Sequence, residues 1–492
     1  MSMIKVEELT FAYPGTFENV FENVSFLIDT DWKLGLVGRN GRGKTTFLKL
    51  LQGEYEYKGK IRANVPFVYF PYTVRDSTRL TSEIVWEICV EAEDWEVVRE
   101  FSLLGLDSEV LWRPFDSLSN GERTKALLAA LFLNDGKFLL IDEPTNHLDA
   151  ASRAVVARYL HSKKGFILVS HDREFLDGSV DHILSLNKTE VRIQSGNFST
   201  FLENFEREQD FERKQNERLK KDVARLSEAA KRAENWSDKA EAGKYGVRNA
   251  GLRVDRGYVG HKAAKMMQSA KNTEKRREKA IEEKSALLKN VEYSPDLKLS
   301  PLVYRSERLV NFDGVTVRYD GREIHAPVSF AVERGERVFL DGGNGTGKSS
   351  LLKLLVGEGI EHTGTVATGS GLILSYVSQD TSKLKGSLDE YARAYGIDES
   401  LFKAILHKTG FNKLQFGKDI SEFSDGQKKK MTIARSLCEQ AHLYVWDEPL
   451  NFVDVYSRIQ IERLIAEFAP TMLLVEHDVA FRRKIATKII SL

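Results

Sequence analysis

Short apolar runs recur along the 492 residues, and several of them come twice. KLGLV (33–37) and RVFL (337–340) have the length and composition of buried strands. Each leads through a glycine-rich turn into a helix-like stretch, TTFLKLL (45–51) and SSLLKLL (349–355). Four apolar residues, FLLI (138–141) and LYVW (443–446), stand directly before an Asp-Glu pair. ILV (167–169) and LLV (473–475) stand just before a Ser-His or Glu-His pair. Strands alternating with helices in this way predict an α/β fold, present twice.

Between the two sets the pattern changes. From Asn197 to Ala242 there is no glycine or proline, and Leu219, Val223, Leu226, Ala230 and Ala233 recur at 4,3,4,3 spacing, the seam of a coiled coil. Five glycines fall within 243–260, and a second breaker-free run spans His261 to Ser294, ending at Pro295. Two antiparallel helices joined by a glycine-rich tip are predicted. At the α-helical rise, 35–45 residues project about 50–65 Å. The resulting division is a first domain at 1–197, a helical hairpin linker at 198–300 with its tip at about 243–260, and a second domain at 301–492.

Composition narrows the class. No apolar run approaches the length that crosses a bilayer, and MSMIKVEELTF lacks the apolar core of a signal peptide. The two cysteines, Cys89 and Cys438, exclude a disulfide framework and any four-cysteine metal site within this chain, and each is read as a small packed residue. A reducing cytoplasm is the expected location. Net charge is zero, 72 against 72, yet residues 201–290 hold 23 Lys and Arg against 16 Asp and Glu. The basic excess is therefore localised in the linker, which marks it as a candidate nucleic-acid surface. The tip mixes Lys244, Tyr245, Arg248, Arg253, Arg256 and Tyr258. Cations interleaved with aromatics suit phosphate contact and base stacking on irregular RNA; a solvated spacer is the plainer alternative.

The chemistry repeats with the pattern. Gly38-Arg-Asn40-Gly41-Arg-Gly43-Lys44-Thr45 and Gly342-Gly-Asn344-Gly345-Thr-Gly347-Lys348-Ser349 both fit the phosphate-binding loop G-x-x-x-x-G-K-[ST]. Glycines let backbone N–H groups curl around phosphates, the lysine adds a charge, and Thr45 or Ser349 ligates Mg²⁺, with Thr46 and Ser350 beside them. SLSNGERTK, holding Ser119 and Gly121, is answered by SEFSDGQKKK, holding Ser424 and Gly426. Asp142-Glu143 is answered by Asp447-Glu448, and His171 by His477. Lysine to signature serine is 75 residues in one half and 76 in the other, and serine to glutamate is 24 in both. The aspartates are placed to hold Mg²⁺ through water and the glutamates to polarise an attacking water. The histidines are placed to hydrogen-bond a γ-phosphate, and the signature serines open helices whose N–H groups suit an anion.

In order and content these motifs resemble the ABC ATPase family over both halves, roughly 1–197 and 305–492. The resemblance implies ATP and Mg²⁺ as ligands, ATP hydrolysis as the activity, and an intramolecular cassette pair in a monomer. It also implies that the signature of one domain closes on the phosphate loop of the other. Lys44, Glu143 and His171 would then pair with Ser424, and Lys348, Glu448 and His477 with Ser119. Tyr13 and Tyr319 stand where the family stacks an aromatic on adenine. Gln379 matches the family's Q-loop and joins the metal set, but the first half has Tyr72 there, and a phenol offers no amide oxygen. Slower hydrolysis at the Lys44 site is the expectation. Asn120 and Asp425 also replace the second signature glycine, which puts close backbone approach there in doubt.

Two cassettes, no membrane domain and a long helical linker resemble the ABC-F family, whose members act on ribosomes. The spacing leaves no room for an arm insertion in the first cassette, and 15 residues follow His477, so no C-terminal extension is expected. TDWKLGLVGRNGRGKTTFL and DRGYVGHKAAKMM are similar to the Lsa-type branch, which protects ribosomes from lincosamides, streptogramin A compounds and pleuromutilins. That resemblance implies 23S rRNA near the peptidyl-transferase centre and tRNA as partners. Two alternatives remain. One is an ABC-F translation factor unrelated to antibiotics. The other is the fused ATPase subunit of an importer, against which the roughly hundred-residue linker argues.

Overall fold

The computed structural model describes residues 2–15, 19–134, 136–146, 148–187, 191–243, 299–343, 345–411 and 415–492. The chain divides into two compact units, Met1–Phe201 with Ser294–Leu492, and Leu202–Tyr293. Both expected nucleotide-binding halves lie in the first unit.

In the first half the strands are β1 Met3–Phe11, β2 Phe21–Asp29, β3 Lys33–Gly38, β4 Lys58–Arg62, β5 Phe67–Phe70, β6 Phe138–Asp142, β7 Phe166–Val169, β8 His182–Leu186 and β9 Val191–Ser195. The sheet order is β5-β6-β7-β3-β8-β9, beside a three-stranded antiparallel sheet β2-β1-β4. The first five strands run parallel, with Asp142 opposite Val169 and Leu36 opposite Val169 in register, and β9 closes the edge antiparallel. The second half repeats this with β10 Arg308–Tyr319, β11 Arg322–Glu323, β12 Val328–Glu333, β13 Arg337–Asp341, β14 His362–Thr368, β15 Leu374–Val377, β16 Leu443–Asp447, β17 Met472–Val475 and β18 Lys488–Ser491. Its parallel sheet has the order β15-β16-β17-β13-β18, the same path as the first half.

The central strands are apolar on both faces because helices cover both faces of a parallel sheet. That is why they read as unbroken runs rather than alternations. FILV in β7 and MLLV in β17 are buried throughout. Trp446 and Tyr444 on β16 are about 1% exposed, and the Trp446 indole donates to Ser436 Oγ at 2.9 Å, so its one polar atom is satisfied. Cys89 is buried and Cys438 packs against the second core. Burial pushes their thiols up, to about 11 and about 12. They act as small apolar residues.

The carboxyl ends of β3, β6 and β7 come together in the first half, and those of β13, β16 and β17 in the second. Open parallel sheets bind ligands at that edge. There the chain carries Gly38, Asp142 and His171 in one half and Gly342, Asp447 and His477 in the other.

The linker begins as predicted with a helix, Phe198–Gly243. Asn197 Oδ1 accepts the Thr200 N–H at 3.0 Å, and Phe198 and Phe201 are buried, so RIQSGNFSTF supplies a cap and an apolar anchor. The second predicted helix and Lys244, Tyr245, Arg248, Arg253, Arg256 and Tyr258 lie outside the described residues, as does Asn344. Among the described residues, no helix is long and apolar enough to cross a membrane.

Candidate active sites

The two phosphate loops are built alike. Gly43 and Gly347 each take φ 83°, which a side chain adopts only under strain, and each is followed by a helix, Lys44–Leu51 or Lys348–Leu355. A Cβ on Gly43 would also stand 2.5 Å from Val20. Lys44 Nζ donates to the Gly38 carbonyl at 2.9 Å, and Lys348 Nζ to the Gly342 and Gly343 carbonyls at 2.8 and 2.6 Å. Both ammonium groups are folded back onto their own loops. Tyr13 OH lies 2.6 Å from Thr46 Oγ1, and Tyr319 OH lies 2.8 Å from Ser350 Oγ. These bonds stand the two rings beside their loops with 37% and 49% of their surface open, as a stacking face requires.

Each loop hydroxyl meets its strand-end aspartate. Thr45 Oγ1 donates to Asp142 Oδ2 at 2.8 Å and Ser349 Oγ to Asp447 Oδ1 at 2.9 Å. The other Asp447 oxygen is buried without a partner, and burial lifts this carboxyl to about 6. A hydroxyl beside an unsatisfied carboxylate oxygen fits Mg²⁺, which binds through few protein groups plus waters and substrate phosphates. Among the described residues there is no cluster of three or more His, Cys, Asp or Glu that would make an all-protein metal cage. Tyr69 adds a contact that the repeat did not suggest: its hydroxyl donates to Asp142 Oδ2 at 3.0 Å.

The next residue in each half is held in strain. Glu143 and Glu448 have φ 50° and 45°, while their N–H groups donate to Val169 and Val475 at 2.9 Å. A left-handed non-glycine residue is costly and persists where the surroundings over-determine it. From here the halves diverge. Glu448 Oε2 accepts from Gln379 Nε2 at 2.7 Å and from Asn451 Nδ2 at 2.6 Å, and His477 Nε2 lies 3.3 Å from Oε1. Burial works to raise this carboxyl, but the His477 and Gln379 contacts outweigh it and leave it below the usual glutamate range.

Glu143 has no such clasp. Tyr72, at the Gln379 position, donates instead to Glu87 at 3.3 Å on the surface. His171 Nε2 is 3.2 Å from Glu143 Oε1, and that buried oxygen has no hydrogen-bond partner. Burial, reinforced by the Asp142 charge, pushes Glu143 up to about 8. Burial and the nearby Lys44 charge lower His171 well below the ordinary histidine value, which keeps it neutral.

Both signature serines open helices. Ser119 caps the helix Asn120–Phe132 and Ser424 caps Asp425–Cys438, each in a reciprocal box with Glu122 or Gln427. Ser119, Gly121, Tyr319, Lys348, Ser349, Gln379, Glu448 and His477 line one cavity of 820 Å³. At the opposite junction the contact is tight. Asn40 Nδ2 donates to the Phe452 carbonyl at 2.8 Å and a Cβ on Gly426 would stand 2.7 Å from Asn40 Nδ2. Close approach at the second signature is therefore real despite Asp425, because Gly426 itself makes it.

Asn451 was legible in principle, since EPTN and EPLN repeat in step, but its target was not. Glu476 was missed too: it is buried and accepts the N–H groups of Leu450 at 3.1 Å and His477 at 2.8 Å, where the first half has Ser170.

Comparison with known proteins gives the same picture. The family model described as ABC transporter matches residues 21–146 and 325–451. The ribosome protection protein VmlR of Bacillus subtilis is 28% identical over 481 residues, covering 95% of this chain and 83% of that protein. The ATP-binding protein Uup of Caulobacter vibrioides is 30% identical over 486 residues, covering 96% and 74%. Among solved structures, an archaeal ribosome recycling factor aABCE1 in complex with the stalk protein aP1 matches with a TM-score of 0.63 at 19% identity, covering 98% of this chain and 87% of that one. This last likeness concerns the fold alone.

Proposed function

This chain belongs to the ABC transporter family of ATP hydrolases and, within it, to the ABC-F group, and we propose that it couples ATP hydrolysis to protection of the ribosome from antibiotics. The observation that carries the ATPase part of the reading is the cavity that Ser119 of one half and Lys348, Glu448 and His477 of the other line together. Two composite sites follow, Lys44 with Ser424 and Lys348 with Ser119, each holding one ATP. Residues 1–197 and 301–492 are the cassettes, 198–300 the linker, and the molecule works as a cytoplasmic monomer.

ATP entering the Lys348 site meets the loop N–H groups of 345–349 and the helix N-terminus behind them. Lys348 exchanges its two carbonyl partners for phosphate oxygens, a stronger charge-assisted pairing. Tyr319 stacks the base. The Ser119 helix N-terminus closes on the γ-phosphate from the other half, which excludes water. Glu448 takes the proton of the attacking water, oriented by Gln379, Asn451 and His477. Ser349, Asp447 and Gln379, or Thr45 and Asp142 in the other site, would hold Mg²⁺, which would neutralise charge on the phosphates. Hydrolysis removes the γ-phosphate that joins the halves, and they separate.

The ribosomal part is supported by similarity to a ribosome protection protein, by the long basic linker and by the likeness of DRGYVGHKAAKMM to the Lsa-type branch. The tip residues Lys244, Tyr245, Arg248, Arg253, Arg256 and Tyr258 would contact 23S rRNA near the peptidyl-transferase centre and tRNA. In the ATP-bound closed state the protein would bind and lincosamides, streptogramin A compounds or pleuromutilins would be displaced, with release on hydrolysis. The test expresses the chain in a susceptible bacterium and compares growth across these drugs, with sedimentation of the ATP-locked variant on ribosomes. Resistance with ribosome binding is expected. Ribosome binding without resistance would make it a translation factor, and membrane association without ribosome binding would overturn the reading.

A further inference from the structure

Arg173 follows His171 by two residues and opens the helix Arg173–Ser179 of the first cassette. Its guanidinium reaches across to the second cassette, where Nη2 lies 2.6 Å from Glu462 Oε2 and 3.7 Å from Asp478 Oδ1. The side chains are 12%, 2% and 2% exposed, so the cluster is dry and its geometry counts. Asp478 directly follows His477. Its other oxygen is held by Arg458 at 3.1 Å, and its Oδ1 also caps the helix that follows by accepting the Phe481 N–H at 2.8 Å.

Part of this cluster is common to both halves. Arg153 pairs with Asp172 at 3.0 Å as Arg458 pairs with Asp478, each within its own cassette. The cross-cassette part has no reciprocal. Val479 stands at the place of Arg173 and Ala157 at the place of Glu462, so no charge is available to build the contact in the other direction. A second cross pair, Arg483 with Glu174 at 2.7 Å, is largely exposed and contributes little.

We propose that Arg173 is a positioning residue for the opposite cassette, holding Asp478 so that His477 stays against Glu448 at the Lys348 site. The path is short: His171, Asp172, Arg173, then Asp478, His477 and Glu448. It joins the two switch histidines in one direction only, so the occupancy of the Lys44 site is felt at the Lys348 site. The inference rests on the reading of Glu448 as the water-polarising residue, and it adds a residue that touches neither nucleotide nor water.

The test uses the full chain carrying Glu143→Gln, in which turnover depends on Glu448. Arg173→Val, which installs the residue of the other half, should lower kcat about tenfold or more with KM within about twofold, as expected for a small misplacement of catalytic groups. Arg173→Lys should recover most of the loss. Glu462→Gln, which leaves the Arg173–Asp478 contact available, should cost less than Arg173→Val. Unchanged kcat, an equal loss in Glu462→Gln, or KM rising in step with the fall in kcat would overturn the proposal. If Arg173→Val does not fold, Arg173→Gln, which keeps most of the volume, is judged by the same outcomes. Full turnover after Glu448→Gln would instead refute the underlying reading of the site.

Discussion

Asn40 of the first phosphate loop donates its backbone N–H to Asp454 Oδ2 of the second cassette at 3.2 Å. Asp454 also pairs with Lys430 Nζ at 2.5 Å and caps its own helix through Ser457 N at 3.0 Å. One fully buried carboxylate thus ties a helix start, a buried lysine and the opposite nucleotide loop together. A neutral amide satisfies the cap but leaves Lys430, 3% exposed, without its counter-charge. Asp454→Asn is expected to cost about 3–5 kcal/mol of stability, the usual penalty for breaking a buried pair from one side. Denaturant unfolding of both proteins checks this.

The same pair fixes a pH dependence. Burial works upward on Asp454, but Lys430 outweighs it and holds the carboxyl well below the usual aspartate range. A carboxylate depressed in the folded state contributes stability that is complete above its unfolded value and lost as pH falls through its folded one. The Asp454→Asn penalty should therefore be constant from neutral pH down to about 4 and shrink only in stronger acid. A penalty that already disappears between pH 7 and 5 would contradict the assignment.

Replacing both glutamates, Glu143→Gln with Glu448→Gln, should abolish steady-state hydrolysis, a loss of about 10²–10⁴-fold, and leave ATP binding intact. The amide keeps the shape without accepting a proton. The variant is expected to stay closed and to remain with ribosomes on sedimentation in ATP. Near-normal turnover would refute the roles given to both residues.

The single substitutions should differ. Glu448 is clasped by Gln379 and Asn451, whereas Tyr72 turns away to Glu87 and Glu143 keeps an unpartnered oxygen. Glu448→Gln is expected to remove most of the turnover and Glu143→Gln a minor share, read as kcat under saturating ATP. Equal losses would show that the two sites hydrolyse alike.

At the linker tip, Tyr258→Ala should remove about 1–3 kcal/mol of local base stacking. Whole-ribosome affinity should fall less, because on the proposed reading the other basic residues of the linker would supply most phosphate contacts. Retained ATPase activity with lost drug resistance is the expected result. Unchanged resistance, both in this variant and after shortening residues 245–256, would make the tip a passive turn.

Much of this molecule was written locally. The phosphate loops, the Asp-Glu pairs and the serine-capped helices are continuous stretches whose conformation is set by neighbours in sequence: a glycine where φ is positive, a capping residue, an apolar run long enough for one strand. Repetition at 75 and 76 residues then identified two cassettes, and the glycine-free run ahead of Gly243 announced the helix that begins at Phe198. Even the departure at Tyr72 was visible as a missing amide. Only the tertiary structure decided where that phenol goes, that Asn451 rather than Gln379 alone grips Glu448, and that Arg173 reaches Glu462 and Asp478. Those partners are up to 305 residues apart, and a side chain's choice among distant charges depends on how two helices and two sheets are brought together. The inequality of the two halves has the same origin. Identical motifs fix identical local geometry, while burial and the sign of the neighbouring charge, which set Glu143 apart from Glu448, are properties of the packed pair.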